Sequence, residues 1–141
     1  MIPMPDQATD ERERAADGAD TARAATLDLL RRELARGTAE LAVLCILSSG
    51  RRYGYELLRL LRGTGNGLLE ISEGTLYPLL HRLEDAGHIS PAWQAEGRAR
   101  PRKYYALTPD GHQHVAMLRA EWSGLVNAMQ ELLTTFEERQ P

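Results

Sequence analysis

The sequence predicts a mainly α-helical fold with a small β-hairpin and a long C-terminal helix. Three patterns indicate this class: leucines spaced three and four residues apart, one stretch near residue 90 with a period of two, and an apolar heptad repeat toward the C-terminus. A chain of 141 residues, 43% of them hydrophobic, suits one domain with tails. No apolar run reaches the roughly 20 residues of a membrane span, and no apolar signal segment follows the N-terminus, so we expect a cytoplasmic protein.

The N-terminal part is predicted to contain a disordered tail and two helices. Residues 1–25 are rich in Asp, Glu, Arg and Ala and show no hydrophobic period, which is typical of disorder. Helical signals begin at Thr26, a candidate N-cap that precedes leucines on one face. Gly37 is placed to end this helix and Thr38 to cap a second one. The run over 41–47 is apolar all round, which predicts a central helix.

Two more helices are predicted before the pattern changes. One follows Tyr53 and Tyr55 and turns its leucines inward, and a glycine-rich connector over 63–67 comes after it. Ser72 is a good N-cap for the next helix, which runs to Ala86 with four leucines on one face. The opposite face carries small polar, aromatic and imidazole side chains.

A β-hairpin is predicted where the period changes to two. The strands cover 88–94 and 104–107 and flank a loop with four basic residues, and Pro91 suits an edge position. Thr108, followed by proline, caps a last helix that extends to about Arg139.

The last helix carries an apolar heptad seam. Its members are Val115, Leu118, Trp122, Leu125, Met129, Leu132 and Phe136. A helix of this length is about 45 Å long at 1.5 Å per residue. One small domain cannot cover such a seam, so we expect it to form the dimerisation surface of a homodimer.

The order of these elements is that of a winged helix-turn-helix over residues 26–108, followed by a C-terminal dimerisation helix over residues 109–141. In this fold the third helix lies in the DNA major groove and the hairpin tip contacts the flanking backbone. The predicted contacts to double-stranded DNA are Tyr53, Tyr55, Ser72, Thr75, Tyr77, His81, Arg98, Arg100, Arg102, Lys103 and Tyr104. Two alternatives stay open: a structural role for Tyr55, and packing of Tyr77 against the hairpin.

The net charge of −3 argues against nucleic-acid binding until it is divided along the chain. Residues 1–36 and 111–141 each carry a net charge of −2, and residues 37–110 carry +1. The acidic excess therefore lies outside the proposed DNA-binding domain, and we expect modest non-specific affinity that depends on two wings acting together.

Three stretches resemble PadR-type transcriptional regulators. They are Gly37-Thr38 with Tyr53-Gly54-Tyr55-Glu56, the run from Glu73 to Glu84, and the run from Arg102 to Gly111. The resemblance covers roughly residues 27 to 136 and fits the short subgroup with one C-terminal helix. It implies a bacterial, dimeric, DNA-binding regulator, usually a repressor of a nearby operon, that a small molecule often relieves.

The resemblance also implies a tentative effector site. In some multidrug-responsive members of the short subgroup, a tryptophan on the C-terminal helix stacks flat aromatic drugs between subunits. Trp122 occupies a matching place, although its position on the heptad seam favours plain dimer core.

Other classes of function are less consistent with the residues. No nucleophile, base and acid stand in a supporting frame, so we expect neither an enzyme nor a cofactor. His112 and His114 are two apart on a helix and make a poor metal pair, and Cys45 is apolar filler, so no metal site is expected. The alternative is a coiled-coil interaction module without specific DNA binding, which leaves the basic hairpin unexplained.

Overall fold

The computed structural model describes residues 5–95, 97 and 100–137, which form four α-helices and a three-stranded antiparallel sheet. The elements are α1 (Pro5–Ser48), β1 (Arg52–Tyr53), α2 (Gly54–Arg62), α3 (Glu73–Asp85), β2 (Ile89–Gln94), β3 (Arg102–Leu107) and α4 (Pro109–Thr135). The predicted class, a mainly α winged helix-turn-helix with a hairpin and a long last helix, is confirmed.

The first helix is longer and more continuous than predicted. α1 has 44 residues and is about 66 Å long at 1.5 Å per residue. Residues 5–25 are helical, so the prediction of disorder is wrong for them. Alanine, glutamate and arginine have high helix propensity, and pairs such as Arg14–Asp10 (2.7 Å) add support. Gly37 does not end the helix because an interior glycine costs only about 1 kcal/mol.

The two threonines predicted to begin helices lie inside α1. The Thr26 hydroxyl donates to the Ala22 carbonyl oxygen at 3.0 Å, and the Thr38 hydroxyl donates to the Leu34 carbonyl oxygen at 2.9 Å. A hydroxyl that bonds the carbonyl four residues earlier occupies a helix interior rather than a cap. Both predicted helix starts are therefore wrong.

The core lies where the second half of α1 meets α2, α3, β3 and the start of α4. The predicted central position of 41–47 is confirmed, because Val43, Leu44 and Leu47 are buried in the core. The other buried core members include Leu57, Leu58, Leu61, Leu76, Leu79, Leu80, Leu83, Ile89 and Tyr105. Burial of each leucine stabilises the fold by roughly 1.5–3 kcal/mol.

The sheet has the order β1-β3-β2, so β3 is its central strand. The hairpin register runs from Ile89 opposite Leu107 to Gln94 opposite Arg102. Pro91 lies on the edge strand β2, as predicted. The two-residue strand β1 was not predicted because two residues are too few to show a period.

The last helix begins as predicted, but its apolar seam lies in two environments. The first part packs on the domain, and the rest is exposed. The Thr108 hydroxyl accepts the Gly111 N–H at 3.0 Å and caps α4. Val115 is buried in the domain's own core, and Leu118 packs against that core. Val115 is therefore covered by its own domain rather than available to a dimer surface, and the first turns of α4 attach the helix to the domain. Arg139, the predicted end, lies outside the described residues.

Candidate nucleic-acid interface

The exposed face of α3 carries three of the predicted DNA contacts. The Ser72 hydroxyl accepts the Thr75 N–H at 3.3 Å and caps the helix. The leucines of the opposite face are buried, so Thr75, Tyr77 and His81 are turned to solvent. Amides at a helix start and short hydroxyls are common phosphate contacts.

Tyr77 lies over the start of α2. A Cβ atom on Gly54 would lie 2.8 Å from the Tyr77 hydroxyl oxygen and 3.0 Å from its Cε1 atom. Glycine at this position therefore allows the tyrosine ring to approach the α2 backbone. The contact fixes α3 against α2 while 41% of Tyr77 stays exposed.

The two tyrosines around the start of α2 have different environments. Tyr55 is exposed, and the Arg59 guanidinium lies 5.9 Å from its ring centroid. Tyr53 is half-buried, and its N–H donates to the Glu56 carboxylate at 3.3 Å. Tyr55 is therefore accessible at the surface, whereas Tyr53 supports the helix start.

Tyr104 is less available to DNA than predicted because its side chain is only 8% exposed. Tyr104 lies on the central strand, and its ring meets the Tyr53 ring edge-on at 5.5 Å. The Arg102 guanidinium lies 4.6 Å from the Tyr53 ring centroid, and Arg51 lies 5.8 Å from that of Tyr104. The tyrosine pair therefore supports two arginines at the surface.

The basic residues of the wing are not equivalent. Arg100 and Arg102 are exposed and belong to the loop end of the hairpin. Lys103 is half-buried, with its Nζ atom 3.7 Å from a Glu84 carboxylate oxygen. It therefore ties the wing to α3 and is less available to DNA than predicted. The predicted contact Arg98 lies outside the described residues.

Two further exposed residues, one on the hairpin and one on α3, are absent from the predicted contacts. Trp93, on β2, is 70% exposed and pairs across the hairpin with Lys103. Arg82 is exposed on α3, seven residues after Thr75. The seven-residue spacing from Thr75 to Arg82 indicates that both lie on the same face of α3. Trp93 is an aromatic residue close to the basic loop, which is also a signal that the sequence contains.

The remaining seam of α4 forms an exposed apolar stripe. Its members are 43–75% exposed and comprise Trp122, Leu125, Met129, Leu132 and Phe136. Isolated apolar side chains at a surface are ordinary, but a contiguous stripe along a helix marks an interaction surface.

No helix within residues 5–95 and 100–137 is long and apolar enough to cross a membrane. Among the same residues no group of three or more His, Cys, Asp or Glu side chains is placed to hold a metal ion.

Comparison with known proteins agrees with this geometry. The model of the "Transcriptional regulator PadR-like family" matches residues 43–117. A PadR family regulator from Eggerthella lenta is 34% identical, with a TM-score of 0.67 over 80% of this chain and 96% of that one. A PadR-like regulator from Bacillus cereus is 31% identical, with a TM-score of 0.64 over 72% and 96%. An uncharacterised protein of Lysinibacillus sphaericus is 28% identical over 78% of this chain and 97% of its own length.

The fold and the exposed face of α3 define a winged-helix DNA-binding transcriptional regulator. The chain belongs to the PadR-like family, whose model matches more than half of it. This membership confirms the predicted family and the prediction of a regulator rather than an enzyme.

Proposed function

We propose that this regulator is a cytoplasmic homodimer that represses a nearby operon by binding a palindromic operator, and that a small planar hydrophobic molecule releases it. The observation that carries the proposal is the linked surface formed by the exposed face of α3, Tyr55 on α2 and Arg102 on β3. α3 enters the major groove, and Arg100 and Arg102 reach the flanking backbone or minor groove.

Dimerisation is supported by the exposed stripe of α4. In a two-fold dimer the same stripe on each protomer contributes to the interface, which buries the apolar side chains of both. The two wing domains then read half-sites about one helical turn, roughly 34 Å, apart. Because each domain carries little net positive charge, useful affinity requires both domains to bind together.

A contact network joins α4 to the end of the recognition helix and provides a route for release. His114 on α4 lies 2.9 Å from the Glu40 carboxylate on α1. The His114 ring also stacks on the His88 ring, with centroids 3.9 Å apart, and His88 lies between α3 and β2. A ligand that changes the direction of α4 would move both recognition helices, which must fit successive grooves.

The wing is tested by Arg100→Ala in fluorescence anisotropy titrations with the gene's own upstream region. We expect the slope of log affinity against log salt to become shallower by about two for the dimer, because each lost phosphate contact removes about 0.9. Arg23→Ala, which removes the same charge from exposed α1, serves as control and should leave the slope unchanged. An Arg100 variant with the wild-type slope would refute the wing contact.

The alternative function, a coiled-coil interaction module without specific DNA binding, makes a different prediction for the same titration. It predicts that the wild type fails to prefer its upstream region over a scrambled duplex of equal length at any salt concentration. Such a result would overturn the proposed regulator.

An effector site at Trp122 is tested through tryptophan fluorescence. The chain has two tryptophans, so Trp93→Phe leaves Trp122 as the single reporter. We expect saturable quenching by acridine in this variant, because the planar dye stacks on the indole between subunits. The reciprocal variant Trp122→Phe should give only linear, collisional quenching of the exposed Trp93. Linear quenching in both variants would exclude the site and leave Trp122 as dimer core.

A further inference from the structure

An open groove of about 740 Å³ lies between α1 and α2 and reaches the start of α3. Five arginines line it: Arg31, Arg32 and Arg36 from α1, with Arg59 and Arg62 from α2. All five side chains are exposed. The three on α1 precede the stretch that the family model matches, residues 43–117.

The groove is locally basic although the whole chain carries a net charge of −3. Its acidic residues are Asp28, Glu70 and Glu73. Arg32 pairs with Asp28 at 2.7 Å, and Arg62 pairs with Glu70 at 3.2 Å. Within the described part of the chain, Arg31, Arg36 and Arg59 make no ion pair, so three guanidinium groups remain to bind an anion.

The same groove is continuous with the proposed DNA-binding face. Tyr55, Ser72 and Thr75 line its wall and are also predicted DNA contacts. A DNA strand that contacts these three side chains passes the mouth of the groove, where guanidinium groups can bind phosphate through two parallel hydrogen bonds.

We propose that Arg31 and Arg36 bind backbone phosphates of DNA adjacent to the half-site that α3 reads. The inference rests on the proposed docking of α3 and adds a contact from the N-terminal half of α1. The exposure of all five arginines favours an extended polyanion over an enclosed small molecule.

The test compares two double variants of the full-length protein. R31Q/R36Q removes two positive charges from the groove, and R12Q/R23Q removes two from exposed α1 positions outside it. Glutamine keeps helix propensity, and circular dichroism checks that α1 is intact. Both are titrated against a footprinted promoter duplex with flanking DNA and against one trimmed to the protected half-sites.

On the long duplex we expect R31Q/R36Q to lower the salt slope by about two to four and the affinity by about tenfold, while R12Q/R23Q stays close to wild type. On the trimmed duplex the difference between the two variants should shrink or vanish. Equal slopes for the two variants, with the wild type still binding, would overturn the groove contact and leave the proposed function intact. Failure of the wild type to bind any duplex would overturn both proposals.

A small-anion site is the other outcome that would overturn the proposal. In that case R31Q/R36Q binds DNA like its control, whereas inorganic pyrophosphate raises the melting temperature of the wild type and of R12Q/R23Q but not that of R31Q/R36Q.

Discussion

Replacing Leu125 and Leu132 with glutamate is expected to convert the protein to monomers and to weaken operator binding by about 100-fold or more. Both side chains lie in the exposed stripe of α4, and neither packs against the domain's own core. Glutamate places charges in an interface that would otherwise exclude water, and unpaired buried charges are strongly unfavourable. A monomer then binds one half-site without the gain in effective concentration that a second linked domain provides. Sedimentation velocity measures the mass, and anisotropy measures the affinity.

The matched control adds the same two charges to the opposite face of the same helix. N127E/Q130E alters residues that are exposed and lie roughly 120–180° around the helix from the stripe, at about 100° per residue. We expect this variant to remain dimeric with nearly unchanged affinity. A dimeric L125E/L132E protein would show that the stripe is not the interface, and the proposed two-fold arrangement would then be wrong.

Much of the fold could be predicted because its signals are local. The spacing of Leu76, Leu79, Leu80 and Leu83 fixed the buried face of α3, and all four are buried. Side-chain caps are equally local: the hydroxyls of Ser72 and Thr108 accept N–H groups at the starts of α3 and α4. These features depend on residues within one or two turns, so a single sequence contains them.

The features that could not be predicted depend on contacts distant in sequence or on competition between weak local preferences. Strand β1 exists because Arg52 and Tyr53 pair with β3, some fifty residues later. The continuity of α1 through Gly37 was missed because a glycine followed by threonine ends a helix in one setting and is tolerated in another.

The structure changes what is expected of individual residues in the candidate site. The sequence places hydroxyl and basic groups on α3 and on the wing. It did not show that Tyr104, on the face of β3 opposite the core residue Tyr105, is covered by Tyr53 and Arg51. The burial of Tyr104 follows from its edge-on contact with the Tyr53 ring on the neighbouring strand β1. Lys103 is predicted to contact DNA because it belongs to the basic loop, and its ion pair with Glu84 does not show in the sequence because Glu84 lies on another element. The same limit applies to Val115, whose burial requires α4 to pack on the domain.

Replacing Gly111 with alanine is expected to destabilise the fold by about 3 kcal/mol and to lower the melting temperature by roughly 10 °C. Gly111 is buried in the first turn of α4, where a Cβ atom would overlap the carbonyl oxygen of His88 and lie 3.0 Å from its carbonyl carbon. The carbonyl cannot easily move away because it accepts the Thr108 N–H at 3.1 Å. The added methyl group must therefore push α4 off the domain, and thermal and urea denaturation measure the cost.

Gly124→Ala provides the control within the same helix, because nothing lies within 4 Å of the Cβ position there. Alanine has the higher helix propensity, so this change is expected to stabilise the protein by about 0.5–1 kcal/mol. The two substitutions are expected to change the free energy of unfolding in opposite directions. This difference distinguishes the close approach at Gly111 from a general effect of replacing a glycine in α4. If Gly111→Ala also stabilised the protein, α4 would not approach His88 so closely. The attachment of α4 to the domain, through which α4 is proposed to move the recognition helix, would then be looser than described. DNA affinity of the Gly111 variant at a temperature where it stays folded then gives a direct measure of that attachment, since a displaced α4 alters the spacing of the two recognition helices.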